Sequence, residues 1–271
     1  MSPAPFSDRL AALAVERRSQ LCLGLDPTGE DAGAAIDECE RLIDLAGASC
    51  IAAKPQLACF ERFGGAGWEA LEHTVARARR AGLLVVADAK RGDVPHTAAV
   101  YARALLGPGG LEADATTVNP LLGGDAIEPF IAEAEACGAG VFALVLTSNP
   151  GAADLLELAV ADGTVSERIA ALVAERSSRL VGAGGLSGLG AVVGATNPPA
   201  RIARMRELMP DAIFLMPGVG AQGADTSGLA AAIADHPASI LVPVSRSIAG
   251  ADDPAQAAEA LRAELWSLSG A

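Results

Sequence analysis

Two residues in this sequence stand out for the chemistry they could do. Of its 20 lysines and arginines, only Lys54 and Lys90 are lysines. The chain uses arginine wherever a plain positive charge serves. A guanidinium keeps its proton in a protein, whereas a lysine ammonium can be tuned as an acid or base. The two retained lysines are therefore candidates for chemistry, with codon bias and chance as the plain alternative. Lys90 lies in Asp88-Ala-Lys-Arg-Gly-Asp93. Residues two apart on a strand share a face, so Asp88 and Lys90 point together and each favours the other's charged form. An ion pair closing a rim would have the same pattern. Asp93 falls past the strand, near the start of the next helix. It is either a second carboxylate of the site or a helix N-cap followed by Pro95 in the first turn.

A second cluster lies late in the chain. Gly218-Val-Gly-Ala-Gln-Gly223 supplies backbone that can approach an anion, and Arg246 offers a fork for two phosphate oxygens. Together they read as a phosphate grip built around Arg246. The three histidines, His73, His96 and His236, have neither metal-ligand spacing nor a carboxylate cluster, and there is no G-x-S-x-G elbow. Neither a histidine-based metal site nor serine-based acyl transfer is expected.

These residues need a frame that brings distant segments together. Strand-length apolar runs occur at 21–26, 50–56, 83–90, 115–120, 140–148, 189–196, 212–219 and 239–246. Their nearly continuous apolar character suits parallel strands buried on both faces. Ala-rich segments with helical spacing lie between them, at 66–81, 94–106, 125–137, 166–180 and 254–268. Eightfold strand–helix alternation predicts an α/β protein, a (β/α)8 TIM barrel spanning 1–271 as one domain, with an extra helix at about 6–18. A doubly wound open sheet is the competing architecture, but the first strand, Leu-Cys-Leu-Gly-Leu-Asp, is followed by no dinucleotide fingerprint. In such barrels the site lies at the C-terminal strand ends. Asp26, Lys54, Gln56, Asp88, Lys90, Asn119, Ser148, Gln222, Ser245 and Arg246 all fall at or near them. An insertion at about 149–165 after the fifth strand has the length of a lid.

Composition sets outer bounds. Residues of the AVILMFWYC set make up 51% of the 271, so the chain can fold around a sizeable core, and with 3% aromatics that core must be aliphatic. A net charge of −13 argues against nucleic-acid or anionic-membrane partners. The most apolar long stretch, Leu180 to Thr196, is broken by glycines and too short to span a bilayer. The start has no secretory pattern, and the 5 cysteines are odd in number without a C-x-x-C pair, as expected of reduced thiols in the cytoplasm.

The stretch Asp88-Ala-Lys-Arg-Gly-Asp93 resembles the D-x-K-x-x-D signature of the orotidine 5′-phosphate decarboxylase family. So do Leu-Gly-Leu-Asp-Pro (23–27), Ala-Ala-Lys-Pro-Gln (52–56), the segments 118–130 and 147–152, and Met-Pro-Gly-Val-Gly-Ala-Gln-Gly-Ala-Asp (216–225). Lys-Pro-Gln and Val-Asn-Pro are similar to its longer bacterial branch. The resemblance implies decarboxylation of orotidine 5′-monophosphate to uridine 5′-monophosphate without metal or cofactor. It implies a charged array of Lys54, Asp88, Lys90 and Asp93. In that family the second aspartate comes from the neighbouring subunit, so the resemblance also implies a homodimer in which Asp93 and Thr97 complete the other chain's site. By the same likeness Asp26 contacts ribose, Ser148 the pyrimidine, and Gln222 and Arg246 the phosphate. The chain departs from the family in having Ser245 rather than glycine before Arg246.

Three rivals remain at this stage. A metal-dependent sugar-phosphate decarboxylase or synthase of the same superfamily would hold its metal with acidic residues, including one where Lys54 stands. A Schiff-base aldolase would use Lys54 or Lys90 covalently. A phosphate-ligand-binding regulatory barrel would leave both lysines unexplained.

Overall fold

Eight parallel strands close into a barrel in a computed structural model that describes residues 4–220 and 227–270. They are β1 (Leu21–Leu25), β2 (Ala52–Pro55), β3 (Leu84–Arg91), β4 (Ala115–Val118), β5 (Gly140–Leu146), β6 (Ser187–Val193), β7 (Ala212–Leu215) and β8 (Ile240–Val244). Each pairs with its neighbours in sequence, and β1 closes on β8 with Leu21 opposite Val242. All eight expected strands are present. Nearly every strand residue is buried, because one face packs inside the barrel and the other under the helices.

Nine helices frame this barrel among the described residues. They are α1 (Phe6–Arg17), α2 (Ala32–Ala46), α3 (Gly65–Arg80), α4 (Pro95–Leu106), α5 (Gly124–Cys137), α6 (Val165–Ala174), α7 (Pro199–Leu208), the short α8 (Ser227–Ala232) and α9 (Pro254–Leu268). One-turn helices at Leu57–Glu61 and Arg246–Ala249 add to them. The extra helix α1 closes the end of the barrel opposite the strands' C-termini. Its Phe6, Leu10 and Ala14 join Cys22, Leu84, Phe142, Ile213 and Leu241 in the inner core. Phe6 meets Phe142 edge-on, with ring centroids 5.9 Å apart. Arg9 pairs with Asp114, and Asp8 accepts the amides of Ala183 and Gly184, both at 3.0 Å.

The differences from expectation fall at element ends. The fourth strand stops at Val118 because the Asn119 carboxamide accepts the Leu121 amide at 3.1 Å and opens a 3-10 turn at Pro120–Leu122. The segment 166–180 splits into α6 and a 3-10 turn at Ser177–Leu180. The seventh strand ends before Pro217, and Gly218 adopts φ 117°. Arg246 begins a one-turn helix just beyond β8 rather than ending the strand. The insertion folds as a 3-10 turn, Pro150–Asp154, and a two-residue hairpin, Ala159–Val160 with Gly163–Thr164. It ends in a capping box in which Thr164 and Glu167 bond each other's backbone amides. No helix among the described residues is long and apolar enough to cross a membrane.

Candidate active site

The sequence places Lys54, Asp88 and Lys90 on β2 and β3, and the barrel brings their charges together. Lys54 Nζ donates to Asp88 Oδ2 at 2.7 Å, and Lys90 Nζ donates to Oδ1 at 2.5 Å. Two further donors complete the carboxylate's shell: Gln56 Nε2 to Oδ2 at 3.1 Å and Thr117 Oγ1 to Oδ1 at 3.0 Å. Lys54 and Asp88 are buried, whereas the Lys90 side chain is 45% exposed at the mouth. The centre is thus one carboxylate between two ammonium groups, one walled in and one facing the opening.

Burial alone would push the Asp88 carboxyl up, but the adjacent Lys54 and Lys90 charges outweigh it and hold the group at about 2. Burial likewise disfavours the Lys54 ammonium, yet Asp88 and Asp26 keep its pKa above the ordinary lysine value. Both partners are therefore ionised at neutral pH. Cys22, buried behind them, is a thiol pushed up to about 12 by desolvation and takes no part as a thiolate.

Simple strand alternation does not account for how Lys90 reaches Asp88. Ala87 pairs with Thr116 and Arg91 with Val118, so the β3–β4 register slips between them. Lys90 lies in the slip with φ 49°. A left-handed residue with a side chain costs about 1–2 kcal/mol. The Lys90 amide donates to Thr117 Oγ1 at 2.9 Å. Gly92 explains the glycine of the motif, since a Cβ there would fall 2.5 Å from the Asn119 carbonyl oxygen.

Two adjoining cavities share Lys54, Pro217 and Pro243. The larger, about 360 Å3, is lined by Asp88, Lys90, Thr117 and Ser148, with Leu144, Val192 and Leu215 as an apolar floor. The smaller, about 120 Å3, is lined by Asp26, Gly218, Ser245, Arg246 and Ser247. Asp26 Oδ1 and Ser247 Oγ are buried there without a hydrogen-bond partner among the described residues. Arg246 is exposed and has no carboxylate within ion-pair distance among the described residues. Gly24, on β1, lets the first and last strands close beneath this cavity: a Cβ there would lie 2.7 Å from Ser245 Cβ.

Of the residues expected from sequence, Lys54, Asp88, Lys90, Asp26, Ser148 and Arg246 thus line one continuous mouth. Asp93 and Thr97 line neither cavity. Asp93 accepts the amide of Val94 at 2.8 Å, and α4 starts from Val94 without a side-chain cap, so Asp93 is not its N-cap. Gln222 lies outside the described residues. Sequence reasoning gave no role to Thr117, one of two consecutive threonines in a buried strand. It noted Gln56 only as a strand-end residue; the two-residue step from Lys54 was the available signal.

Residues 19–261 match the profile of the Orotidine 5′-phosphate decarboxylase / HUMPS family. The orotidine 5′-phosphate decarboxylase of Roseiflexus sp. (strain RS-1) is 41% identical over 267 residues, covering 95% of this chain and 93% of its own. That of Deinococcus radiodurans is 41% identical over 276 residues, 98% of each chain. The structure of Leishmania donovani OMP decarboxylase superposes with a TM-score of 0.85 at 39% identity, covering 98% of this chain and 99% of that one. Profile, relatives and fold agree, and the chain belongs to the orotidine 5′-phosphate decarboxylase / HUMPS family.

Proposed function

We propose that this mouth decarboxylates orotidine 5′-monophosphate to uridine 5′-monophosphate and CO2, a step of pyrimidine biosynthesis, without metal or cofactor. The observation that carries the reading is the Lys54–Asp88–Lys90 ion triad beside a second cavity holding Arg246. The pyrimidine occupies the larger cavity, with Ser148 at its edge. Asp26 contacts the ribose, and Arg246 grips the phosphate together with Gln222.

The chemistry follows from where charge develops. The bond between C6 and the carboxylate breaks, CO2 leaves, and the electron pair stays on C6. A fixed ammonium beside that carbon, Lys90, stabilises the pair and then delivers a proton to it. The neutral amine regains its proton from water. Asp88 stands beside the departing carboxylate and opposes its charge until it leaves as neutral CO2. Lys54 holds Asp88 ionised. Binding of the remote phosphate supplies free energy that is expressed at C6. In a homodimer, Asp93 and Thr97 reach the other chain's mouth, which accounts for their standing apart from their own. Five unpaired cysteines fit a cytoplasmic enzyme.

A metal-dependent sugar-phosphate enzyme of the same superfamily is the second reading. Against it, Lys54 places an ammonium on Asp88 where a cation would require an anionic ligand. Incubation with orotidine 5′-monophosphate in EDTA, followed by the pyrimidine absorbance change, separates the two. Undiminished turnover is expected, and activity that needs added metal would overturn the proposal. Lys90→Ala should lower kcat by at least about a thousandfold while the fold survives. Near-normal turnover in that variant would reject the role given to Lys90.

A further inference from the structure

We infer that Thr117 is a positioning residue whose hydroxyl ties the main chain of Lys90 to the carboxylate of Asp88, holding the ammonium still at the reacting carbon. The inference rests on the role given to Lys90 above.

Its direction is fixed by chemistry. The Lys90 N–H can only donate, so Thr117 Oγ1 accepts from it at 2.9 Å. An ionised Asp88 can only accept, so the same oxygen sends its single proton to Oδ1 at 3.0 Å. One hydroxyl thereby serves both partners in the only arrangement open to it. Thr117 is 1% exposed, and its β-branched side chain is stiff about χ1, so it can hold both bonds in place. The need arises from the register slip, which carries Lys90 into a left-handed conformation away from regular strand pairing. The neighbouring threonine does something different. Thr116 Oγ1 donates to the Ala87 carbonyl at 3.0 Å and stitches β3 to β4 without touching the triad. Gln56 and Lys54 still hold Oδ2 when the Thr117 hydroxyl is removed, so Asp88 stays in place while the Lys90 main chain loses its acceptor.

The test compares Thr117→Val, Thr117→Ser and Thr116→Val for turnover of orotidine 5′-monophosphate and for Lys90 amide hydrogen exchange by NMR. Thr117→Val should lower kcat about ten- to hundredfold with KM within about threefold of the parent, because the phosphate and ribose contacts remain. Thr117→Ser should recover most of that loss, and Thr116→Val should turn over like the parent. The Lys90 amide should exchange at least about tenfold faster in Thr117→Val, since its acceptor is gone. A Thr117→Val enzyme within about twofold of the parent in kcat, a serine variant as impaired as valine, or an equal loss in Thr116→Val each overturns the inference. If valine does not fold, Thr117→Ala is judged against the same limits. If the parent chain itself releases no CO2, the reading of the site falls. The clasp is then judged by exchange alone, and equal Lys90 rates in parent and Thr117→Val reject it.

Discussion

Asp88 carries more of the site than any other single side chain, because four donors converge on its two oxygens. Replacing it with asparagine leaves Lys54 buried without its nearest counter-charge. Breaking a buried pair in this way costs about 3–5 kcal/mol. In a chain of this size that corresponds to a Tm drop on the order of 10 °C, measurable by thermal unfolding at pH 7. The effect has a defined pH window. The folded-state pKa of Asp88 is depressed to about 2 from 3.8. Its contribution is therefore complete above the unfolded value and is lost as pH falls through the folded one. The Tm gap between parent and Asp88→Asn should be constant above about pH 5 and should narrow by about half or more between about pH 4 and pH 2. A gap unchanged at pH 2 would mean that the carboxylate's charge contributes nothing to the fold. The three charged residues of this centre were legible because lysine is so scarce in the chain. Thr117 was not, since a threonine in a buried strand looks like any other until the slip beside it is seen.

At the scale of elements, the strands were legible because both of their faces are buried, which makes each a run of apolar residues. Their ends were less so. A strand stops where a turn, a proline or a side-chain cap competes for its backbone, as at Asn119 and Pro217, and periodicity does not record that competition. Helix α1 could be placed from the sequence, but its task could not. Leu10 and Phe6 insert among Phe142, Leu84 and Ile213 and close the barrel from below. Leu10 is 0% exposed. Leu10→Ala should therefore cost about 2–5 kcal/mol. Because α1 lies at the opposite end from the charged centre, kcat should stay within about twofold of the parent at temperatures where the variant is folded. Thermal unfolding and turnover measured side by side check both halves. A loss of kcat without a loss of Tm would show that the barrel's two ends are coupled.

At the scale of the whole molecule, the family resemblance named Asp93 and Thr97 for the site, yet neither lines the mouth of its own chain. A single chain's residues do not specify what a second chain would contribute, so only the resemblance, and not residue type or spacing, gave Thr97 a place. Val100, Leu121 and Leu122, on α4 and the turn after β4, are 64%, 65% and 48% exposed. Large apolar side chains grouped on neighbouring elements suit a covered face. If the enzyme is a dimer with crossed sites, mixing Lys90→Ala with Asp93→Ala should restore activity. Random exchange makes half of the dimers hybrid, each with one intact site, so about one quarter of parent activity is expected. No recovery after verified subunit exchange would place Asp93 outside the neighbouring mouth.

The chain's economy in lysine reaches beyond catalysis. Of its two lysine side chains, one is 10% exposed and the other 45%. An acylating probe thus finds a single open side-chain amine, and it stands at the entrance to the barrel. A fluorophore or affinity handle attached there would count unoccupied mouths directly, and a bound nucleotide would shield them from labelling.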